Sequence, residues 1–340
     1  MQNQNKCLGC GALKQNTDEN KVGYVKDLNN SYCFDCFSLK NYGKSKNHFH
    51  PDKYLEIKDH SLVLIIQSVM QIDLLFTQPI ERIQPNAKYV YILNQVDLLP
   101  RDTNLDYLHE KIEKLAKKNK VKFFDIIFMS AINPSDTTNL KHYLMEQKQK
   151  DIYLFGYQNS GKSTIFKSLT NNKDVLNLNK AGLTQEIIKS NFLDKTIYDM
   201  PGNYISGNLS EIFDYEEYRK LLPSKTIKPK VYQLKENQKL VINDYIEITS
   251  SNDVNLVFYI NEFSKIMKYN LANLNNYLNL EYEYTSKTFK IGQEKMHITI
   301  ADLMFIQVSG NTNLTVKLPK KLRLTISESL LKWKRSTKMS

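Results

Sequence analysis

One stretch constrains the fold more than any other: Gly156-Tyr-Gln-Asn-Ser-Gly-Lys-Ser163, which follows the apolar run Ile152–Phe155 and passes directly into Thr164-Ile-Phe-Lys-Ser-Leu169. Glycines at 156 and 161 allow a tight backbone path. A strand before such a loop and a helix after it aim successive amides at an anion on the helix N-terminus. The spacing therefore predicts an α/β fold with a phosphate cradle running from Gly156 through Asn159, Ser160 and Gly161 to Thr164. Lys162 would reach the terminal phosphates, and Ser163 would offer its hydroxyl to Mg²⁺, an ion that takes oxygen ligands.

Which base such a site reads depends on other loops. The apolar run Tyr89–Leu93 ends in Asn94-Gln-Val-Asp97. A carboxylate at 97 can accept from the N1–H and exocyclic amine of guanine, with Asn94 bracing the loop; a plain turn after a buried strand is the other reading. One strand-helix-strand unit further on, Val121–Met129 ends in Ser130-Ala131, where a backbone amide can touch the same base. After the cradle, the polar loop Leu176–Gln185 offers Thr184 as a residue to close over Mg²⁺. Strands over 187–192 and 196–198 then lead into Asp199-Met-Pro-Gly202. Asp199 is placed to hold Mg²⁺ through water, and the Gly202 amide to sense a γ-phosphate, a contact of the kind that orders switch segments. Helices are expected from Val69 towards Ile83, over 105–118 and over 138–149.

All four cysteines fall near the start, as Cys7-Leu-Gly-Cys10 and Cys33-Phe-Asp-Cys36. Two close pairs of this kind read as a tetrahedral Zn²⁺ site, two disulfides being the alternative. The 340 residues suffice for several domains, and the longest apolar stretch, Leu62–Phe76, carries Gln67, Gln71 and Asp73 and is too short to span a bilayer. With neither an apolar signal core nor an arginine-rich leader at the start, a cytoplasmic location is expected. Net charge is +11, and most of the excess lies after Leu221, notably at Lys317, Lys320, Lys321, Arg323, Lys332, Lys334, Arg335 and Lys338. That placement suits a polyanion, or a solvated basic tail. The alternating Leu314, Val316, Leu318 and Leu322, Leu324, Ile326 read as strands rather than as a membrane-surface helix.

The motifs thus run guanine reader, Ser-Ala, phosphate loop, switch threonine, Asp-x-Pro-Gly, preceded by paired cysteines. In this order the chain resembles the YqeH family of circularly permuted GTPases. The resemblance implies a treble-clef-like zinc module over 1–50 and a permuted Ras-like domain over 51–220. It also implies a strand-rich α+β domain over 221–340 that grips nucleic acid. It further implies GTP hydrolysis with Lys162, Thr184 and Gly202 in catalytic roles, K⁺ held at Asn159, and small-subunit assembly through 16S rRNA or a ribosomal protein. A GTP-dependent RNA tether with negligible turnover is the alternative. The chain departs from the family where it reads Gln67-Ser68 after the first strand, Gln95 in place of a lysine, Ala181-Gly-Leu-Thr184 in the switch, and Ala301–Phe305 in place of a glycine-rich segment.

Overall fold

A computed structural model describes residues 7, 13–19, 23–34, 37, 57–77, 80–170, 187–202, 205–272 and 277–332. Cys10, Cys36, the connector 40–53, Thr184, Asn203, Lys334, Arg335 and Lys338 lie outside the described residues. By their contacts the residues divide into two compact units, one of Met1–Val96, Leu115–Ile205 and Asp214–Glu216, the other of Asp97–Lys114, Ser206–Phe213 and Glu217–Ser340.

The first unit is built on strands β1 (Leu62–Ser68), β2 (Lys88–Asn94), β3 (Asp125–Phe128), β4 (Asp151–Gly156), β5 (Ile188–Phe192) and β6 (Lys195–Asp199). They form one sheet in the order β3-β2-β1-β4-β6-β5, parallel except where β5 runs antiparallel to β6. Every residue of β1 is buried, as expected of a central parallel strand covered on both faces, which explains its unbroken apolar run. Leu64, Ile66, Ile92 and Leu154 pack with Leu140, Leu144, Ile165 and Phe166 in a single core. Truncating a buried leucine such as Leu64 to alanine would cost about 3 kcal/mol. From β1 and β4 the order runs outward in opposite directions, so the crevice at their carboxyl ends is a topological switch point, where α/β sheets take ligands.

Between and after these strands, the described residues include helices α1 (Leu105–Asn119), α2 (Pro134–Glu146), α3 (Lys162–Thr170) and α4 (Tyr215–Leu221). Helix α2 starts earlier than its apolar spacing suggests, because Asn133 caps it by accepting from Ser135 N and Pro134 occupies the first turn. The helix expected from Val69 towards Ile83 does not form. Two short 3-10 turns, Val69–Leu74 and Ile80–Arg82, stand there instead. Gln71 leaves helical geometry at φ −123° and Phe76 sits at φ +64°, which turns Phe76 against Tyr91 (ring centroids 4.9 Å apart) rather than along a helical stripe. The run Val121–Met129 yields a strand only over Asp125–Phe128.

In the second unit β7 (Lys230–Leu234), β8 (Gln238–Ile242), β9 (Ile246–Ser250), β10 (Val254–Tyr259) and β11 (Ile266–Asn270) lead on to the last five strands. Those are β12 (Tyr284–Ile291), β13 (Met296–Ile300), β14 (Met304–Ser309), β15 (Thr312–Pro319) and β16 (Leu324–Glu328). They form two five-stranded sheets, β16-β13-β14-β10-β7 and β11-β8-β9-β15-β12, antiparallel throughout. The alternation around Leu314 and Leu324 is thus strand, as expected. The α+β character expected over 221–340 is corrected: among the described residues after α4 there are strands and no helix. Among the described residues no helix is long and apolar enough to cross a membrane.

Candidate nucleotide site

Strand β4 ends at Gly156, whose φ of +151° and position leave no room for a side chain: a Cβ there would lie 2.0 Å from Ile66 O. Gly161, at φ +88°, is equally confined, since its Cβ would lie 2.1 Å from Asn94 Nδ2. Between them Asn159 adopts φ +63° at the crest of the loop, and Lys162 opens α3. This is the strand, tight loop and helix start predicted from the spacing, with both glycines forced by close approach.

Lys162 is buried and donates from Nζ to Tyr157 O at 3.2 Å. Burial pushes its ammonium below the ordinary lysine value, while the Asp199 carboxylate pulls the other way. Ser163 Oγ donates to Asp199 Oδ2 at 2.9 Å, bringing together a hydroxyl and a carboxylate of the kind Mg²⁺ takes beside phosphate. A Cβ on Gly202 would stand 3.1 Å from Lys162 Nζ, so that glycine packs on the amine. Thr164 lies half-buried in the first turn of α3.

Asn94 and the Ser130-Ala131 loop, expected from the sequence to contact a base, meet the same phosphate loop. β1 and β2 run in register with Ser68 opposite Asn94, so both strands end at one level. Asn94 is buried; its Nδ2 donates to Ser160 O at 2.8 Å and its Oδ1 accepts from Ala131 N at 2.9 Å. One side chain therefore holds together three segments far apart in sequence. Ser130 N donates to Asp136 Oδ2 at 2.8 Å, so the first turn of α2 fixes the Ser-Ala loop. Asp97 follows in the 3-10 turn Val96–Leu98, its carbonyl accepting from Thr226 Oγ1 at 2.8 Å. The hydroxyls of Ser130 and Ser160 are buried without a hydrogen-bond partner among the described residues, which suits a site that takes a polar ligand.

Sequence reasoning missed Ser68, Asp136 and the bracing contacts of Gln95. Asp136 had a signal in Asn133-Pro134, a helix start that puts a carboxylate in the first turn. Of the proposed zinc ligands, Cys7 and Cys33 are described: both are buried, and Cys33 N donates to Cys7 Sγ at 3.1 Å.

Residues 151–290 match the family model described as "50S ribosome-binding GTPase". The chain is 26% identical to the uncharacterised protein YqeH of Bacillus subtilis over 254 residues, 69% of each chain. It is 25% identical over 192 residues to a protein of Oryza sativa subsp. japonica named for nitric oxide synthase, covering 48% of this chain and 35% of that one. An uncharacterised GTP-binding protein of Methanocaldococcus jannaschii is 32% identical over 104 residues, 29% of this chain and 25% of its own. A parallel sheet carrying such a loop at its switch point, in a chain with these relatives, makes the molecule a P-loop GTPase. Among GTPases of that class, the chain resembles the YqeH type.

Proposed function

We propose that the chain is a circularly permuted, guanine-specific switch that acts in the cytoplasm on an intermediate of small ribosomal subunit assembly. The observation that carries the guanine reading is Asn94, bonded at once to Ser160 and Ala131. Permutation is supported by order: the GTPase-model match begins at Asp151, and the reader Asn94–Asp97 and Ser130-Ala131 precede it.

In this reading Asp97 accepts from the base, the Ser130-Ala131 loop braced by Asn94 lies against it, and the amides from Asn159 to Thr164 hold the phosphates. Mg²⁺, held by Ser163, Asp199 and Thr184, would neutralise charge on the transferring phosphoryl group. Lys162 places its ammonium beside the same group, and Gly202 offers its amide to it. Asn159, at the crest of the loop, is the residue to hold K⁺. Cys7, Cys10, Cys33 and Cys36 hold Zn²⁺, and the basic excess after Leu221 contacts 16S rRNA phosphates, a grip that weakens steeply with salt.

The chain that leaves the proposed switch continues into the second unit. Soon after Gly202, the segment 206–213 is clamped within the second unit: Arg323 N donates to Gly207 O at 2.8 Å, Arg323 Nη1 to Asn208 Oδ1 at 3.0 Å, and Leu209 N to Asp302 Oδ1 at 2.9 Å. Nucleotide titration and single-turnover hydrolysis test the whole reading. We expect preference for GTP over ATP, faster turnover in K⁺ than in Na⁺, and stimulation by small rather than large ribosomal subunits. Stimulation by large subunits alone would overturn the partner, and hydrolysis too slow to measure with either subunit would leave a GTP-dependent tether.

A further inference from the structure

Two of the positions at which the chain departs from its family touch one another. Ser68, at the end of β1, donates from Oγ to Gln95 Oε1, and Gln95 Nε2 donates onward to Asn159 O at 3.3 Å. Ser68 is held in turn because its Oγ accepts from Met70 N at 3.1 Å. Gln95 stands at φ +66°, a conformation that a bulky residue adopts only when its surroundings demand it. Its neighbour Asn94 binds the next carbonyl along, Ser160 O.

We infer that Gln95 is a positioning residue of the nucleotide site, tying the end of β1 to the crest of the phosphate loop through an uncharged relay, Ser68 to Gln95 to Asn159. The inference rests on the reading of that loop as the seat of GTP. Carbonyl oxygens repel phosphate, so those of residues 159 and 160 must face away from it if the amides that follow are to face towards it. Asn94 and Gln95 supply adjacent donors on that far side. A lysine at 95 would donate to the same carbonyl as an ammonium and would want a carboxylate beside it. Here a hydroxyl and an amide do the same work without a charge, each bond polarising the next. Because no member titrates near neutrality, the contribution of the relay to affinity is independent of pH and nearly independent of salt.

The relay acts on loop geometry and not on the breaking bond, so its loss weakens GTP and GDP alike. The deciding variant is Gln95→Asn. Asparagine tolerates the left-handed conformation, so the fold is kept, but its amide is one methylene too short to reach both partners. In the full-length chain, GTP and GDP affinities should each fall about tenfold, with KM rising and kcat changing less than about twofold. The apparent melting temperature without nucleotide should not move. Rescue is expected from the pair Ser68→Asp with Gln95→Lys, and from neither alone, since Gln95→Lys leaves an ammonium without an anion and Ser68→Asp sets a carboxylate against the Gln95 oxygen.

Wild-type affinity in Gln95→Asn would overturn the inference, as would a loss matched by an equal fall in melting temperature or confined to kcat. If the wild-type chain itself failed to bind guanine nucleotides, the reading of the site would fall with it. That outcome is distinct from a wild-type chain that binds and a variant that binds equally well.

Discussion

The carboxyl-end loops of the parallel sheet and the interior of the β-rich unit both bury polar side chains, and they treat them in opposite ways. Lys162 and His297 are both fully buried bases pushed below their ordinary values by desolvation. His297, lowered to about 3, is satisfied as a neutral ring: Leu330 N donates to its Nδ1 at 3.4 Å and Ser329 Oγ lies 3.2 Å from its Nε2. Lys162 instead sits beside a glycine that leaves it space and a carboxylate that favours its charge. A buried base whose neutral form is satisfied supports a fold, whereas one whose charge burial disfavours, with a single carboxylate pulling the other way, gains by meeting an anion.

Lys162→Ala should draw this contrast most sharply. It should lower GTP affinity and single-turnover hydrolysis by about a hundredfold or more, while thermal unfolding without nucleotide is unchanged or improved, since a buried amine is gone. Next comes Asp302, a buried carboxylate that accepts from Leu209 N and Tyr218 OH at 2.9 and 2.8 Å. Burial raises its pKa, against those two bonds and Arg323. Asp302→Ala should destabilise the β-rich unit by roughly 3 kcal/mol, read as faster amide exchange in β13 and β14. Nucleotide affinity should stay near wild type.

His297 gives a pH signature on the same unit. Its folded pKa lies below the unfolded value of 6.5, so its stabilisation is complete above about pH 6.5 and is lost as pH falls towards 3. The slope should reach about 1.4 kcal/mol per pH unit, and His297→Asn should flatten it. The smallest effect belongs to Ala301, which holds φ +51° where glycine is at ease. Ala301→Gly should stabilise the unit by at most about 1 kcal/mol in chemical denaturation, the gain being offset by a looser unfolded chain.

The site was legible in sequence where its chemistry is local. Gly156 to Ser163 and Asn94 to Asp97 are short, and each spacing follows a strand end, so both could be placed before any contact was known. The Ser68–Gln95–Asn159 relay was not legible, because it joins residues brought together only by parallel register. The Val69–Ile83 helix failed for a related reason: apolar residues there fill space under the sheet, and sequence spacing alone cannot separate that from a helical face. Thr184, Cys10 and Cys36 fall outside the described residues, so the switch and zinc expectations stand as proposals.

The account depends above all on a carboxylate at 97 reading the same guanine nucleotide whose phosphates sit on Lys162. Xanthine carries a carbonyl where guanine carries its exocyclic amine, so replacing the Asp97 acceptor by a donor should exchange the two bases. Competitive binding of GTP and xanthosine triphosphate to Asp97→Asn is the measurement. We predict that GTP affinity falls about a hundredfold and the preference inverts towards xanthosine triphosphate; unchanged GTP preference in that variant would contradict the account.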